Sequence, residues 1–369
     1  MGSTPRGISA SRGAAVLGLS EFQTPLEVFQ RIMEEREPGW NAAHGYAMPP
    51  EPDNVAIRWG TAFEDAIVEL AERAQGKQIK KREMFFACNN LGIKGSPVVS
   101  MNENEQENFI TCHIDGIYGN TWEEIVTCLH EGKTTSAFTF REKWGEPGTD
   151  HIPRTYQVQV QHQMLCVGAE EAVVSVLVFP ETPDKWEAMG WEVYKIREGS
   201  YDLVIKVISE TIDKVKTNLI LRRALPSGWA TVLADMGYFH QYPVKANPEA
   251  QRLMVEAYRE FWHKNVLTGT PPEPRNYEDV KRLFPEPKST IIVPDYIERK
   301  IAEYKGITEE TANAKKRKDR LKMIVTKYAA QHVGIEDDES REAVIFRNER
   351  GDKLGSWSKN KNGTHVFRC

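Results

Sequence analysis

Apolar residues recur along this chain with two different spacings, and each spacing predicts its own kind of element. Steps of three and four mark helices. Leu26, Phe29 and Met33 form one face of a helix over 25–37, and Phe63, Ile67, Leu70, Ala71 and Ala74 form one face over 54–74. The first of these has a legible start. Thr24 and Glu27 are placed to satisfy each other's free backbone N–H groups, with Pro25 at the first helical position. A shorter apolar helix over 12–17 is opened by Ser11 and closed by Gly18. Runs rich in Val, Ile, Thr and Phe mark strands at 78–86, 95–100, 109–118, 124–134, 171–179 and 190–196. Gly119-Asn120 is good turn chemistry between the third and fourth. Further helices are expected over 154–167 and 201–225.

Beyond residue 225 the pattern is mostly helical, with helices at 247–266, 277–283, 294–304 and 309–333 and short strand-like pieces over 343–368. The order predicts a mixed α/β (α+β) domain over 1–225 and a C-terminal accessory region over 226–369 that ends in a hairpin-like segment. Composition adds limits. The apolar fraction is 40% and the charged fraction 27%, as in a soluble globular protein, and no apolar run approaches the roughly 20 residues of a membrane span. Five scattered cysteines without a C-x-x-C pair indicate neither zinc nor a disulfide framework, so a reducing, cytoplasmic setting is expected. The net charge of −5 argues against a protein that simply coats nucleic acid. Local basic groups exist, including Lys315–Lys318 with Arg320 and Lys322, and each reads first as a solvated face.

Candidate chemistry gathers on the hairpin over 109–135. With side chains alternating in period two, Leu129, Glu131 and Lys133 share one side of the second strand, while Cys128, His130 and Gly132 share the other. Asp115 lies toward the end of the first strand. A suitable stagger brings Asp115 near Glu131, with Lys133 beside both. Converging carboxylates repel unless a cation joins them, and oxygen ligands of this kind suit Mg²⁺ or Mn²⁺. A neighbouring lysine can then orient or deprotonate a water and offset charge on phosphorus. A solvated strand end is the competing reading of the same residues. Three further features bear on the choice. Glu64 sits beside the apolar stripe of its helix. Ser11, at a helix start with Arg6 just upstream, suits a phosphate. Tyr156, Gln159 and Gln163 fall on one face of the helix over 154–167, where neutral amides replace the usual Lys and Glu.

Taken in order, Arg6–Ser11, Gly60–Glu64, Asp115-Gly116, Glu131-Gly132-Lys133 and Tyr156-x-x-Gln159-x-Gln161 make the chain resemble the phage lambda-type exonucleases. These are the YqaJ-like viral recombinase family within the PD-(D/E)XK nucleases, and the resemblance covers roughly residues 5–225. It implies a restriction-endonuclease-like core, a mixed central sheet flanked by helices. It also implies that Asp115, Glu131 and the Gly132 carbonyl hold divalent metal, with Glu64 helping at a second ion. Lys133 would prepare the water, with Gln159 and Tyr156 lining the site, and Ser11 and Arg6 would hold a DNA 5′-phosphate. The implied activity is Mg²⁺-dependent 5′-to-3′ digestion of linear duplex DNA, leaving a 3′ strand for a single-strand annealing protein. The implied assembly is a homo-oligomeric ring, trimer or tetramer. A restriction-like endonuclease and a silent scaffold that binds DNA ends are the alternatives. Gly132, where the family has an apolar residue, and the long 115–131 hairpin depart from the pattern.

Overall fold

The computed structural model describes residues 7–49, 55–80, 84–87, 109–119, 128–188, 191–197, 200–207, 220–285, 292–332, 343–359 and 365–368. Arg6, the strand expected at 95–100, Asn120 and residues 124–127 of the expected second hairpin strand lie outside them. The described chain forms two compact units, residues 1–287 and 288–369.

The first unit begins with β1 (Ile8–Ser9) and α1 (Ala10–Val16). Ser9, not Ser11, is the residue that precedes α1, so the helix starts earlier than the sequence suggested. Helix α2 (Pro25–Arg36) has the expected cap: the Thr24 hydroxyl accepts from the Glu27 N–H at 3.2 Å, and the Glu27 carboxylate accepts from the Thr24 N–H at 2.9 Å. Leu26, Phe29 and Met33 are buried, as their spacing predicts. After the single turn α3 (Trp40–Ala43), α4 (Val55–Gln75) buries Phe63, Ile67, Leu70 and Ala71, whereas Ala74 is exposed. Each large apolar side chain of that stripe contributes about 1.5–3 kcal/mol.

Four short strands and two long ones follow: β2 (Ile79–Lys80), β3 (Met84–Ala87), β4 (Ile110–Ile114), β5 (Gly116–Tyr118) and β6 (Cys128–Ser136) build the middle of the fold, and β7 (Glu171–Phe179) lies beyond two helices. Those helices are α5 (Ala137–Lys143) and α6 (Arg154–Val167). The chain continues through α7 (Pro183–Ala188), β8 (Trp191–Arg197), β9 (Ser200–Val207), β10 (Ile220–Ala224), α8 (Pro226–Asp235), β11 (Phe239–Lys245), α9 (Pro248–Phe261) and α10 (Tyr277–Leu283). A π-helical turn over Trp262–Val266 extends α9, which Asn247 caps as expected.

The central sheet has the order β11-β7-β6-β5-β2 and is mixed, with β6 parallel to β7 and antiparallel to β5. Helix α4 packs on β6 and β7, and α6 packs on β4 and β7. This is the mixed sheet flanked by helices that the family resemblance implies. Strand β4 leaves it to pair with β1 and β3 in a separate small sheet. The break between the two sheets falls at Asp115.

Two further expectations fail here. Residues 201–225 hold no helix among those described. β9 and β10 pair with each other, and with β8 they form an antiparallel sheet. Alternating Tyr201, Leu203, Ile205 and Val207 carry the period-two signal that a helical reading overlooked. β8, the strand expected at 190–196, lies in that sheet and not in the central one. The boundary expected at 225 is also misplaced, since β11 is an edge strand of the central sheet and α9 packs on α1 and α6. Pro243 in β11 is tolerated because edge strands need not donate on both sides.

The second unit holds α11 (Asp295–His332) and a three-stranded antiparallel sheet of β12 (Ala343–Arg347), β13 (Lys353–Lys359) and β14 (His365–Arg368). Two helices were expected where α11 runs unbroken. Gly306 costs a helix about 1 kcal/mol relative to Ala but does not break it. Among the described residues no helix is long and apolar enough to cross a membrane.

Candidate active site

Antiparallel pairing sets Gly116 against His130 and Ile117 against Leu129. One step further along the same register brings Asp115 level with Glu131. The Asp115 Oδ2 accepts a hydrogen bond from the Gly132 N–H at 2.8 Å, which pins the carboxylate of one segment to the backbone of the other. Glycine fits at both neighbouring positions for a steric reason. A Cβ on Gly116 would lie 2.1 Å from the Ile79 Cγ2, and one on Gly132 would lie 3.3 Å from the Ile67 Cγ2 of α4. Gly132 therefore faces α4, where an apolar residue would crowd the helix.

Glu131 and Lys133 face the other way, toward α6, as alternation requires. Glu131 is 1% exposed. Its Oε1 accepts from the Lys133 ammonium and, at 2.5 Å, from the Gln159 Nε2. Its Oε2 accepts from the Gln163 Nε2 at 2.7 Å. The Lys133 ammonium also lies over the Tyr156 ring, 5.2 Å from its centroid. Tyr156, Gln159 and Gln163 thus present the single face predicted from their spacing. Gln161 points elsewhere. Its amide donates to the Lys245 carbonyl at 2.7 Å and accepts from the Asn247 N–H at 2.9 Å, tying α6 to the junction of β11 and α9.

The charges are unbalanced. Burial, then the charge of Glu131, pushes the Asp115 carboxyl up to about 7; Lys133 and the Gly132 N–H oppose this, and Glu64 adds to it. Burial works against the Lys133 ammonium, but Glu131 and Asp115 outweigh it, so the lysine holds its proton more firmly than usual. Glu64, half-buried on α4, is close enough to be felt electrostatically at Asp115. Surplus negative charge from oxygen donors alone fits a hard cation such as Mg²⁺. Among the described residues no group of three or more His, Cys, Asp or Glu side chains encloses an ion. The two carboxylates would therefore need backbone oxygen and water to complete a coordination shell, which is how Mg²⁺ is usually held.

Ser11 is exposed in the first turn of α1, and its Oγ lies 3.1 Å from the Ser9 Oγ. It does not cap the helix, so the helix-start argument for a phosphate does not apply to it. Arg12 is engaged by Glu35 through both terminal guanidinium nitrogens, Nη1 and Nη2. The residue that the family resemblance left without a role is Gln163. The sequence placed it on the correct face, but its two acceptors lie far away in the chain.

Residues 4–170 match the model of the YqaJ-like viral recombinase domain. A curated relative, the uncharacterized protein YqaJ of Bacillus subtilis (strain 168), is 26% identical over 175 residues, which is 47% of this chain and 44% of the relative. The matched stretch is thus less than half the length of that relative. Among solved structures, the alkaline exonuclease LHK-Exo from Laribacter hongkongensis aligns with a TM-score of 0.39 at 12% identity, covering 81% of this chain and 95% of that one. A phage related exonuclease from Haemophilus somnus 129PT aligns with a TM-score of 0.35 at 13% identity, covering 71% and 96%. The segment from 4 to 170 carries every side chain placed above around Asp115 and Glu131, and over that segment the chain is similar to the YqaJ-like viral recombinase domain.

Proposed function

We propose that the chain is an exodeoxyribonuclease that hydrolyses linear duplex DNA from the 5′ end, with Mg²⁺ as cofactor and Mn²⁺ as a substitute. The observation that carries this reading is the meeting of Asp115, Glu131 and Lys133 at the break between two sheets, with more acid than base. Asp115, Glu131 and the Gly132 carbonyl would hold the ion, with Glu64 contributing at a second position. A divalent ion bound there would supply an acidified water and a counter-charge for the scissile phosphate.

The chain's own residues do the rest. Lys133, kept protonated by its acidic neighbours, orients the attacking water and offsets charge building on the phosphate oxygens. Tyr156 and Glu131 hold that ammonium from two sides. Gln159 steadies Glu131 without cancelling its charge. The exposed Ser11 hydroxyl, with Arg6, is assigned to the 5′-phosphate of the DNA end. The 3′ strand left behind would pass to a single-strand annealing protein, and a ring of three or four copies would keep the duplex threaded.

A timed digest of 5′-end-labelled linear duplex tests this, with closed circular duplex alongside. Loss of label with Mg²⁺, none in EDTA, and intact circles support the proposal. Lys133→Ala should abolish degradation while retaining DNA binding. If that variant degrades DNA like the wild type, the active-site assignment is wrong. Cut circles would instead favour a restriction-like endonuclease on the same core.

A further inference from the structure

The central sheet and the β1-β4-β3 sheet separate at Asp115, and the β5–β6 ladder stops at Gly116 and His130. Past that point side chains, not a strand ladder, join β4 to β6. Asp115 makes one such link, to the Gly132 N–H. Gln163 makes another. Its Nε2, on a side chain that is 2% exposed, donates to the Glu131 Oε2 at 2.7 Å and to the His113 carbonyl at 3.1 Å. A primary amide has two N–H groups, and here they serve two acceptors on two different strands.

We propose that Gln163 is a positioning residue: it fixes the orientation of the Glu131 carboxylate and the spacing between the segments that carry Asp115 and Glu131. The inference rests on the metal-site reading above and extends it to a residue with no assigned role. Two features support it. Glu131 is gripped on both oxygens, Oε1 by Lys133 and Gln159 and Oε2 by Gln163, so its plane cannot rotate freely. His113 stands two residues before Asp115, so the bond to its carbonyl holds the backbone next to the second ligand. The amide is also the right chemistry. Lysine or arginine at 163 would neutralise Glu131 and compete with an incoming cation, whereas a neutral donor orients the carboxylate and leaves its charge in place. Groups that orient ligands in this way typically matter 10- to 100-fold in metal affinity.

The test compares Gln163→Met, which keeps the length and removes both donors, with Gln161→Met, which removes an amide of the same helix that points away from the site. Glu131→Gln is included. Mn²⁺ binding by the full chain is measured calorimetrically without DNA, and thermal unfolding in EDTA reports the fold. The expected result is that Gln163→Met raises the Mn²⁺ dissociation constant on the order of 10- to 100-fold, while Gln161→Met leaves it at the wild-type value even where it lowers the melting temperature. Gln163→Asn, too short to reach both acceptors, should fall between, and it carries the test if the Met variant does not fold. Wild-type Mn²⁺ affinity in Gln163→Met overturns the inference while Glu131→Gln still loses the ion. Should the wild type itself bind no Mn²⁺, the metal-site reading fails and takes this inference with it.

Discussion

Two stretches of this molecule are rich in charge and handle it in opposite ways. Between α6 and β6, Glu131 and Gln163 are almost fully buried, and their polar atoms are met by named partners at hydrogen-bonding distance. On α11, Lys315, Lys316, Arg317, Lys318, Arg320, Lys322 and Lys327 crowd into 13 positions, and each of them is exposed. In sequence a solvated reading is open to both, a strand end for Glu131 and Lys133 and a helix face for α11. The fold separates them. A carboxylate removed from water must be stabilised by its surroundings and responds to every neighbour, whereas a solvated ammonium is screened and responds to little. Chemistry is therefore expected where few charges are buried, and not where many are exposed.

The largest effect should come from Lys133. Its replacement by Ala removes the only ammonium found on Glu131 among the described residues, and cleavage should fall on the order of 10²- to 10⁴-fold. Replacing Lys315, Lys316, Arg317 and Lys318 together by Ala should leave the cleavage rate within about twofold. Rates on end-labelled duplex decide the matter. A collapse of activity in the quadruple variant would break the contrast and move α11 into the DNA-binding machinery.

A second buried group extends the same contrast to stability. His162 lies behind the site, with Nε2 against the Thr111 carbonyl at 2.9 Å and Nδ1 3.3 Å from the Tyr258 hydroxyl. Burial pulls its pKa from 6.5 down to about 4. Between those values the unfolded chain takes up a proton that the folded chain refuses. This contribution is thus complete above pH 6.5 and fades as the pH falls toward 4, a loss of about 3 kcal/mol. His162→Gln should remove that part of the pH dependence. Urea midpoints from pH 4 to 8 with parallel slopes for both proteins would show that the imidazole is not held neutral.

A smaller effect of opposite sign is expected at Asp115. It adds a negative charge beside Glu131 and within reach of Glu64, so Asp115→Asn should stabilise the metal-free protein by about 1–2 kcal/mol while removing activity. Unfolding in EDTA gives the first quantity and the digest the second. Destabilisation by this substitution would mean that the Gly132 hydrogen bond outweighs the repulsion.

The sequence revealed most where one local rule dominated. The bounds of α6 at 154–167, of β7 at 171–179 and of α10 at 277–283 follow from clear periodicity and caps. The meeting of Asp115, Glu131 and Lys133 follows from period two plus one register. Features that depend on distant partners were not legible. β11 reads as polar, with His240, Gln241 and Pro243, and becomes a strand only because β7 offers it an edge. Ser11 reads as a cap because it precedes the short apolar run, yet Ile8 and Ser9 pair with β4 and the helix begins at Ala10. Gln163 could be put on the correct face of its helix, but its acceptors sit 32 and 50 residues away, beyond any local pattern.

The smallest effect expected belongs to α11 and has a definite sign. Lys318 stands three residues from Lys315 and four from Lys322, so like charges face each other along the helix. Lys318→Ala removes both repulsions and introduces the strongest helix former, which should stabilise the helix by a few tenths of a kcal/mol, roughly 0.3–0.8 in all. The repulsive share should vanish in about 1 M salt, where screening acts within about 3 Å, and the propensity share should persist. Helical circular dichroism of the full chain during heating, at low and high salt, separates the two. A loss of helicity in Lys318→Ala would show that this ammonium has a binding partner and that the basic half of α11 is not merely solvated.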